Sequence, residues 1–358
     1  MTDPTPASSA LPPLTAIIVT RNDRETVRAA IDSLLAQNYP SDLDIILALA
    51  PNTDGTGDLI AEIVAANPRI AVIDVSSSSL VVGLNEAIAA ARTALIIRVD
   101  ARAVFPPDYA AKAVRAMGRT GAAELIGVTT PVGATPFERA AARGIEHPLG
   151  LARDPLAQHA GEAQTQASTA HVIRRRTFIE AGLYDEEIRH GQGWQLSERL
   201  RDAGHTVWFS PELQYDYRPP SKTVQLTRSL FAEGLWRGEF ARAFPDEKVL
   251  RFLLPSIVVI ASILGFILGA IGFFGVIAGA LGVASVVSLI LFALLVLPAA
   301  YVLGVVVLAI AAMVRSTVRT GLWFALVLPF IHFSWGFGFI AGFVNLEGAA
   351  DTVIVDFD

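Results

Sequence analysis

The feature that most constrains this chain is a long stretch, from Phe252 to Val314, that contains no charged residue. One membrane-spanning helix needs only about 20 predominantly apolar residues. A second stretch, Leu322 to Val344, also lacks Asp, Glu, Lys and Arg and is about one membrane thickness long. Only 17% of all residues are charged, against roughly 25% in an average soluble domain. The sequence therefore predicts transmembrane helices in the C-terminal part of the chain.

Basic residues at the ends of the long stretch indicate how often it crosses the membrane. Lys248 and Arg251 precede it, and Arg315 and Arg319 follow it. Cytoplasmic flanks are enriched in Lys and Arg, so both ends are expected inside and the number of crossings in between is even. We expect three helices in the region 252–344, near 252–274, 290–314 and 321–344, with the acidic tail 345–358 outside. Four crossings are the alternative, if the Gly- and Ala-rich middle forms two short helices.

The two ends of the remaining chain are polar or amphipathic. Residues 1–13 are polar and proline-rich and lack the basic and apolar regions of a secretory signal, so we expect a disordered tail and a cytoplasmic N-terminal domain. Residues 222–251 mix basic with aromatic side chains, which is typical of a helix in the lipid headgroup layer. A soluble helix packed on the N-terminal domain is the alternative. Either interpretation makes this segment the connector to the membrane region.

Between these segments, residues 14–221 alternate strand and helix patterns. Apolar strands are predicted at 14–20, 44–50, 70–75 and 94–100, and amphipathic helices occur between them. This alternation predicts an α/β domain with a mainly parallel sheet covered by helices on both faces. Ligands of such sheets bind beyond the carboxyl ends of the strands. The candidate site is therefore expected at that edge.

Polar residues stand where these predicted strands end. Thr20, Asn22 and Asp23 follow the first strand, Asp54 follows the second, and Asp100 ends the fourth. An acid at the end of a buried strand gains nothing from packing, and its carboxylate can bind a divalent metal together with diphosphate oxygens. Asp100 is thus the candidate metal ligand, with a cap of the following turn as the alternative. Asp54, in the turn TDGTGD, is equally a helix cap or a site residue.

A series of short motifs runs through the chain from about residue 14 to residue 344. In order they are IIVTRND, SLLAQNYP, TDGT, GLNEAI, IIRVDARAVFPPDY, GATPFERA, RRRTFIEAGLYDEEI, LSERLRDAGHTVWFSPELQYDYRPPS and HFSWGFGFIAGF. Together they resemble glycosyltransferase family 2 with the GT-A fold, and particularly its membrane-anchored succinoglycan-biosynthesis type. Each motif alone is unspecific, so the resemblance rests on their order and spacing.

The resemblance implies a domain that binds a nucleotide diphospho-sugar and Mg²⁺ or Mn²⁺. It would glycosylate a lipid-linked or envelope-polysaccharide acceptor at the plasma membrane. By position, Thr20, Asn22 and Asp23 would face the nucleotide, and Asn85 would lie near the ribose or diphosphate. Asp100 would be the first acid of the family's DxD-type metal motif. Asp54, Arg102 and Trp194 complete the set expected to bind the sugar nucleotide.

Two departures from the family pattern bear on activity. The third position of the DxD-type motif is Arg102, a cation that either repels the metal or replaces part of its charge. The family's catalytic carboxylate is absent from Gly193-Trp194-Gln195, none of which can remove a proton from a hydroxyl at neutral pH. His190 is the nearest titratable substitute, and a surface histidine is the alternative. Trp194 either stacks on a sugar or fills the space that the lost acid leaves.

The main functional hypothesis is an inverting, metal-dependent glycosyltransferase anchored in the membrane. The alternative is a catalytically inactive homologue that binds a lipid or a partner protein. A net charge of −6 argues against a general nucleic-acid surface. Because the chain has no cysteine, disulfides, thiolate metal sites and cysteine nucleophiles are excluded.

Overall fold

The computed structural model describes residues 11–151, 161–164, 172–187, 191–243, 253–279 and 286–346. These residues form two compact units. The first contains the described residues up to Thr130 and those between Asp154 and Arg218. The second contains the described residues of Pro131–Arg153 and those from Pro219 onward. The segment 131–153, which the sequence pattern assigns to the α/β domain, is thus grouped with the C-terminal helices.

The first unit is built on one sheet, which has nine strands in the described residues. These are β1 (Leu14–Thr20), β2 (Leu43–Leu49), β3 (Ile70–Asp74), β4 (Leu95–Asp100), β5 (Ala103–Val104), β6 (Glu124–Pro131), β7 (Ala163–Gln164), β8 (Val172–Arg174) and β9 (Val207–Tyr217). Their order is β3-β2-β1-β4-β8-β6-β9-β5, with β7 paired to β9.

One half of this sheet is parallel and the other half contains antiparallel pairs. The pairs β1–β2, β1–β4 and β2–β3 are parallel, as the sequence predicts. The pairs β4–β8, β6–β8 and β5–β9 are antiparallel, so the sheet is mixed rather than mainly parallel. Strands as short as β5 and β8 contain too few residues to show an alternating pattern. The longer strands β6 and β9 were not identified from the sequence.

Helices cover both faces of the parallel half. The helices in the described residues are α1 (Val27–Leu35), α2 (Thr56–Ala65), α3 (Leu80–Ala90), α4 (Tyr109–Thr120), α5 (Pro136–Glu146), α6 (Arg175–Glu180), α7 (Gln192–Asp202), α8 (Thr223–Ala243), α9 (Leu253–Gly279), α10 (Val286–Ala293), α11 (Val296–Arg315) and α12 (Val318–Phe343). On β1, Ile18 belongs to the apolar cluster of α1, α2 and α4, whereas Ile17 belongs to that of α3, α6 and α7. Successive side chains of a strand point to opposite faces, so the alternation shows that β1 is buried on both sides.

Three helical stretches of the second unit are long and apolar enough to cross a membrane. They are Pro255–Gly279, Val286–Arg315 and Val318–Phe343. The middle stretch comprises α10 and α11, which are separated by a short turn. Their outer side chains are mostly apolar, for example Phe274 and Val286, which are 67% and 71% exposed. Such surface is unfavourable in water and suits a lipid environment.

Two polar helices, α5 and α8, pack on this apolar group. Helix α5 begins with proline and a capping box in which Thr135 and Glu138 bind each other's backbone N–H groups. Its Phe137 shares an apolar cluster with Leu226 of α8 and Phe324 of α12. This buried contact explains why segment 131–153 groups with the C-terminal helices. It also places the predicted connector helix, α8, within the second unit.

Candidate functional site

The loop after β1 carries the first group of predicted site residues. Asn22 has a φ of 53°, in the left-handed region that asparagine tolerates better than most residues. Its side-chain oxygen accepts a hydrogen bond from the backbone N–H of Thr53 (2.8 Å). Thr20, which is buried, donates its hydroxyl to Oδ2 of Asp23 (3.2 Å). The bond between Thr53 and Asn22 connects the loop after β1 to the loop after β2, and the bond between Thr20 and Asp23 holds the first of these loops.

Asp54 holds the same two loops together. Its Oδ1 accepts the backbone N–H of Thr56 at the start of α2 (2.9 Å), and its Oδ2 accepts that of Arg24 (3.0 Å). Burial opposes the charged form of this carboxyl, but the hydrogen bonds from Thr56 and Arg24 outweigh it and lower the pKa of Asp54. Both oxygens are therefore occupied by backbone donors, as in the helix-cap alternative that the turn sequence allowed.

Three charged residues come together where β1 and β4 end. Nε of Arg102 lies 3.7 Å from Oδ1 of Asp23. Asp100 accepts the backbone N–H of Arg102 through Oδ1 (2.8 Å). Burial raises the pKa of the Asp23 carboxyl to about 6, while the positive charge of Arg102 opposes this rise and the negative charge of Asp100 adds to it. Asp23, Asp100 and Arg102 form what we call the acid–arginine cluster.

Tyr217, the last residue of β9, lies beside this cluster. It was not identified from the sequence. Burial raises the pKa of its phenol, and the negative charge of Asp100 raises it further. The backbone also converges here, since Arg218 donates its N–H to the carbonyl of Arg102 (3.0 Å). Tyr217 lies in the motif QYDYRPPS. Its position at the end of a long strand is the sequence feature that could have identified it.

The acid–arginine cluster does not form a complete metal site by itself. In the part of the chain that the structure describes, no three His, Asp or Glu side chains are grouped to bind a metal. Asp100 is exposed and retains a second carboxylate oxygen, whereas Asp23 is paired with Arg102. Mg²⁺ typically takes one or two protein carboxylates and completes its shell with phosphate oxygens and water. The residues therefore fit a metal only when a phosphate ligand supplies most of the coordination.

Asn85 lies in a second group, on α3. Its Nδ2 donates to the carbonyl of Tyr184 and to Oε1 of Glu186, both at 2.9 Å. Its Oδ1 accepts the backbone N–H of Tyr184 (3.1 Å). The amide of Asn85 thus fixes the loop that precedes α7, and both of its polar atoms are used within the protein.

The first turn of α7 contains the positions where the sequence resemblance led us to expect a catalytic acid. Gly193, Trp194 and Gln195 lie there, and each is partly buried. Nε2 of Gln195 is 3.5 Å from Oδ2 of Asp185 in the preceding loop. Asp185 is therefore the carboxylate that contacts this turn. The predicted substitute base, His190, lies outside the described residues.

A buried acid, Glu124, anchors α7 to the sheet. It is 1% exposed at the start of β6, and its Oε2 accepts the hydroxyl of Ser197 (2.7 Å). Its Oε1 is buried and has no hydrogen-bond partner among the described residues. Burial raises the pKa of Glu124 to about 7. An acid at the head of the apolar run ELIGV was the sequence signal for this residue, and our sequence reasoning missed it.

The comparison with a known family covers most of the α/β unit and also segment 131–153 of the second unit. Residues 15–182 match the model of the glycosyl transferase family 2. These residues are a family 2 glycosyltransferase domain. The match contains β1 to β4 and the acid–arginine cluster, and it ends before α7.

Two known proteins extend the comparison. The chain is 27% identical over 249 residues to the succinoglycan biosynthesis protein ExoA of Rhizobium meliloti (strain 1021), covering 68% of this chain and 74% of that protein. Its fold is similar to that of the mannosyltransferase PcManGT from Pyrobaculum calidifontis, solved in complex with GDP-Man and Mn²⁺. That match has a TM-score of 0.58 at 16% identity and covers 95% of this chain and 89% of the other. The family 2 domain thus has the GT-A fold that the sequence motifs predict.

Proposed function

We propose that this family 2 glycosyltransferase transfers a sugar from a nucleotide-diphosphate donor to a lipid-linked or envelope-polysaccharide acceptor at the cytoplasmic face of the membrane. The observation that carries the proposal is the acid–arginine cluster at the carboxyl ends of β1 and β4, where ligands of parallel sheets bind. The relationship to ExoA supports a role in polysaccharide assembly. The apolar helices of the second unit support a membrane location.

The loops after β1 and β2 are suited to the nucleotide part of the donor. In this proposal Thr20, Asn22 and Asp23 face the nucleotide, and Asp54 keeps their loop in place through its bonds to Arg24 and Thr56. Asn85 acts at a distance, because its amide holds the loop that precedes α7. Trp194 has an aromatic face with which a sugar ring can stack.

The diphosphate is proposed to lie against Asp100 and Arg102. Asp100 would bind Mg²⁺ or Mn²⁺ jointly with the phosphate oxygens, and the presence of Mn²⁺ in PcManGT supports such an ion. The metal would stabilise the negative charge of the leaving diphosphate. Arg102 supplies a permanent positive charge at the same place, since a guanidinium stays protonated at every physiological pH. Part of the leaving-group stabilisation is thus provided by the protein.

Proton removal from the acceptor is the weak step of this site. Inverting transfer needs an acceptor hydroxyl to attack the anomeric carbon opposite the diphosphate while a base takes its proton. Gly193, Trp194 and Gln195 offer no such base, and Asp185 is the carboxylate in contact with that turn. General-base assistance is typically worth about 10²–10⁴-fold in rate. Turnover is therefore expected to be slow unless His190 or Asp185 takes the proton.

The missing acid also supports a second candidate function. A glycosyltransferase fold that binds a sugar nucleotide, a lipid or a partner protein without turnover would retain the loops around Asp23 and lose the base. The lack of a carboxylate at residues 193–195 is the observation that supports this inactive homologue.

Calorimetry of the purified full chain in detergent separates these possibilities. UDP, GDP and their sugars are titrated with Mn²⁺ and with EDTA, and donor hydrolysis is followed in parallel. We expect one nucleotide class to bind in the micromolar to millimolar range. Binding with turnover supports the enzyme, and binding without turnover supports the inactive homologue. If no nucleotide binds under either condition, the proposed donor site is wrong.

A further inference from the structure

Helices α9 and α10 form an apolar hairpin within the second unit. A Cβ on Gly272 would lie 2.1 Å from the backbone nitrogen of Phe292, and one on Gly275 would lie 2.5 Å from Oγ of Ser288. The two helices therefore approach closely, as glycines permit in membrane helix pairs. Phe266 and Ile290 on their outer surfaces are 62% and 61% exposed. This hairpin is the part of the unit with the strongest requirement for lipid.

Helix α12 contacts α9 near the beginning of α9. A Cβ on Gly336 would lie 2.8 Å from Cγ2 of Val259 and 3.1 Å from the carbonyl of Pro255. At 1.5 Å per residue, α12 continues for only about 10 Å beyond Gly336 to its end, while α9 continues for about 30 Å beyond Val259 to Gly279. The part of α12 that follows Gly336 is therefore too short to reach the far end of the hairpin.

A charged helix accompanies the second half of α12. Cβ atoms on Gly338 and Gly342 would lie 2.1 Å and 2.0 Å from the carbonyls of Phe231 and Leu235 in α8. The glycines of α8 are equally close to α12. A Cβ on Gly234 would lie 2.1 Å from the carbonyl of Trp335, and one on Gly238 would lie 2.1 Å from that of Phe339. The backbones of α8 and α12 are thus in contact over this length.

The other face of α8 is not suited to the interior of a bilayer. Arg237 pairs with Glu233 (2.9 Å), and their side chains are 27% and 46% exposed. Arg228 and Arg242 are also exposed. A charged side chain costs about 2.5–3.5 kcal/mol at the centre of a membrane helix on insertion scales. Because α8 and α12 are in backbone contact, the second half of α12 must lie at the depth of these charges.

The first half of α12 is accompanied by α5 and the loop after it. The rings of Phe137 in α5 and Trp323 lie 5.3 Å apart, and those of His147 and Phe324 lie 6.4 Å apart. Helix α5 carries Arg139 and Arg143, both partly exposed. Polar structure therefore lies against α12 along both of its halves. The first half of α12 also packs on the last turns of α11, since a Cβ on Gly321 would lie 2.7 Å from the carbonyl of Ala309.

The exposed face of α12 is mostly apolar after Arg319. Leu322, Leu326, Phe330 and Phe337 are 56%, 54%, 39% and 44% exposed, and they follow one another at helical spacing. A helix with one apolar face and charged neighbours behind it matches the arrangement of helices that lie in the membrane interface.

We infer that only α9 and the α10–α11 stretch cross the membrane, while α12 lies in the interface with α5 and α8 behind it. The chain then enters and leaves the bilayer on one side, and its C-terminus lies on the same side as residues 14–218. This replaces the three-crossing arrangement and the external tail that the basic flanks and apolar length predict.

The absence of cysteine makes the topology directly measurable. Single cysteines are introduced by Arg28→Cys in α1, by Gly282→Cys between α9 and α10, and by Leu346→Cys after α12. Each full-length variant is treated with a membrane-impermeant maleimide in intact spheroplasts and again after permeabilisation. We expect the variant at 282 to react in intact spheroplasts and the variants at 28 and 346 to react only after permeabilisation.

Reaction of the variant at 346 in intact spheroplasts would establish three crossings and overturn the inference. Protection of the variant at 282 would also overturn it, because the hairpin would then not cross. A second measurement does not depend on a substitution. Green fluorescent protein fused after residue 358 should fluoresce, and alkaline phosphatase fused there should be inactive. An active phosphatase fusion would contradict the two-crossing arrangement.

Discussion

Nε of Arg102 lies 3.7 Å from Oδ1 of Asp23, so a permanent cation stands two residues after Asp100, beside the place where a metal would be expected. Only 19% of the Arg102 side chain and 14% of the Asp23 side chain are exposed. In such a partly desolvated place, electrostatic interactions are stronger than at an open surface. The pair therefore bears on both donor binding and its dependence on metal.

We predict that Arg102→Ala weakens binding of the nucleotide diphosphate about tenfold in the presence of EDTA, because charge-assisted hydrogen bonds contribute about 1.5–3 kcal/mol. The loss should be smaller with Mn²⁺, since the metal then supplies the positive charge. The control is Arg28→Ala in α1, which removes an exposed arginine that pairs with Glu62 of α2. Equal affinity of the Arg102 variant and wild type in EDTA, measured by calorimetry, would exclude a role for this guanidinium.

We predict that Asp100→Asn abolishes the part of nucleotide binding that depends on Mn²⁺ and leaves the folded structure intact. Asparagine retains an oxygen that can accept the backbone N–H of Arg102, now bonded at 2.8 Å. Asp74→Asn is the matched control, because Asp74 ends β3, another strand of the parallel half of the sheet, and is exposed. If the Asp100 variant shows the same gain in affinity with Mn²⁺ as wild type, Asp100 is not the metal ligand.

Glu124 predicts a specific dependence of stability on pH. Its pKa is raised from 4.5 to about 7, so the folded protein binds more protons than the unfolded chain in this window. The free energy of unfolding should therefore fall as pH rises from 4.5 to 7, by at most about 3 kcal/mol from this residue. Glu124→Gln should remove the fall, since Gln can still accept the hydroxyl of Ser197.

Thermal unfolding in detergent at pH 5 and pH 8 tests the Glu124 prediction. The variant should gain melting temperature relative to wild type at pH 8 and little at pH 5. Glu212→Gln, on the exposed side of β9, serves as the control. A variant that is equally destabilised at both pH values would show that Glu124 matters for packing rather than for its proton.

We predict that acids placed in the first turn of α7 increase residual activity. Gly193→Asp and Trp194→Asp each put a carboxylate where the family has its base, and an acid near a helix N-terminus is also favoured by the helix dipole. Donor hydrolysis or sugar transfer should rise by up to about 10²-fold, within the range of general-base assistance. Gly193→Asn is the control of similar size. Equal rates for the Asp and Asn variants would locate the base elsewhere, and His190→Ala would be measured next.

The glycine contacts of α12 predict where the second unit tolerates added bulk. Gly338→Leu would force α8 and α12 apart, because even a Cβ there would lie 2.1 Å from a backbone carbonyl. It should lower the melting temperature by several degrees or reduce the yield of folded protein. Gly304→Leu, on an exposed part of α11 with no atom within 4 Å of the added Cβ, should change neither. Similar effects of both substitutions would indicate a general intolerance of α11 and α12 to leucine.

Periodic features were readable from the sequence. The apolar stretch from Phe252 to Val314 requires lipid because of its length alone. The alternation of apolar strands with amphipathic helices from residue 14 gave β1 to β4 and their parallel pairing, and Asp23 and Asp100 were placed at the correct edge. These properties depend on neighbours within about one element, so the linear order of residues determines them.

The tertiary structure decided everything that joins residues far apart in the chain. It showed that Asn85 uses both its polar atoms on the loop before α7 and that Glu124 is buried against Ser197. It also moved α5 into the second unit and placed the charged helix α8 against α12. From its apolar length alone, α12 is expected to cross the membrane. We infer its depth in the membrane from the helices that pack on it. Periodicity reports which face of an element is buried, but only the folded chain specifies what that face meets.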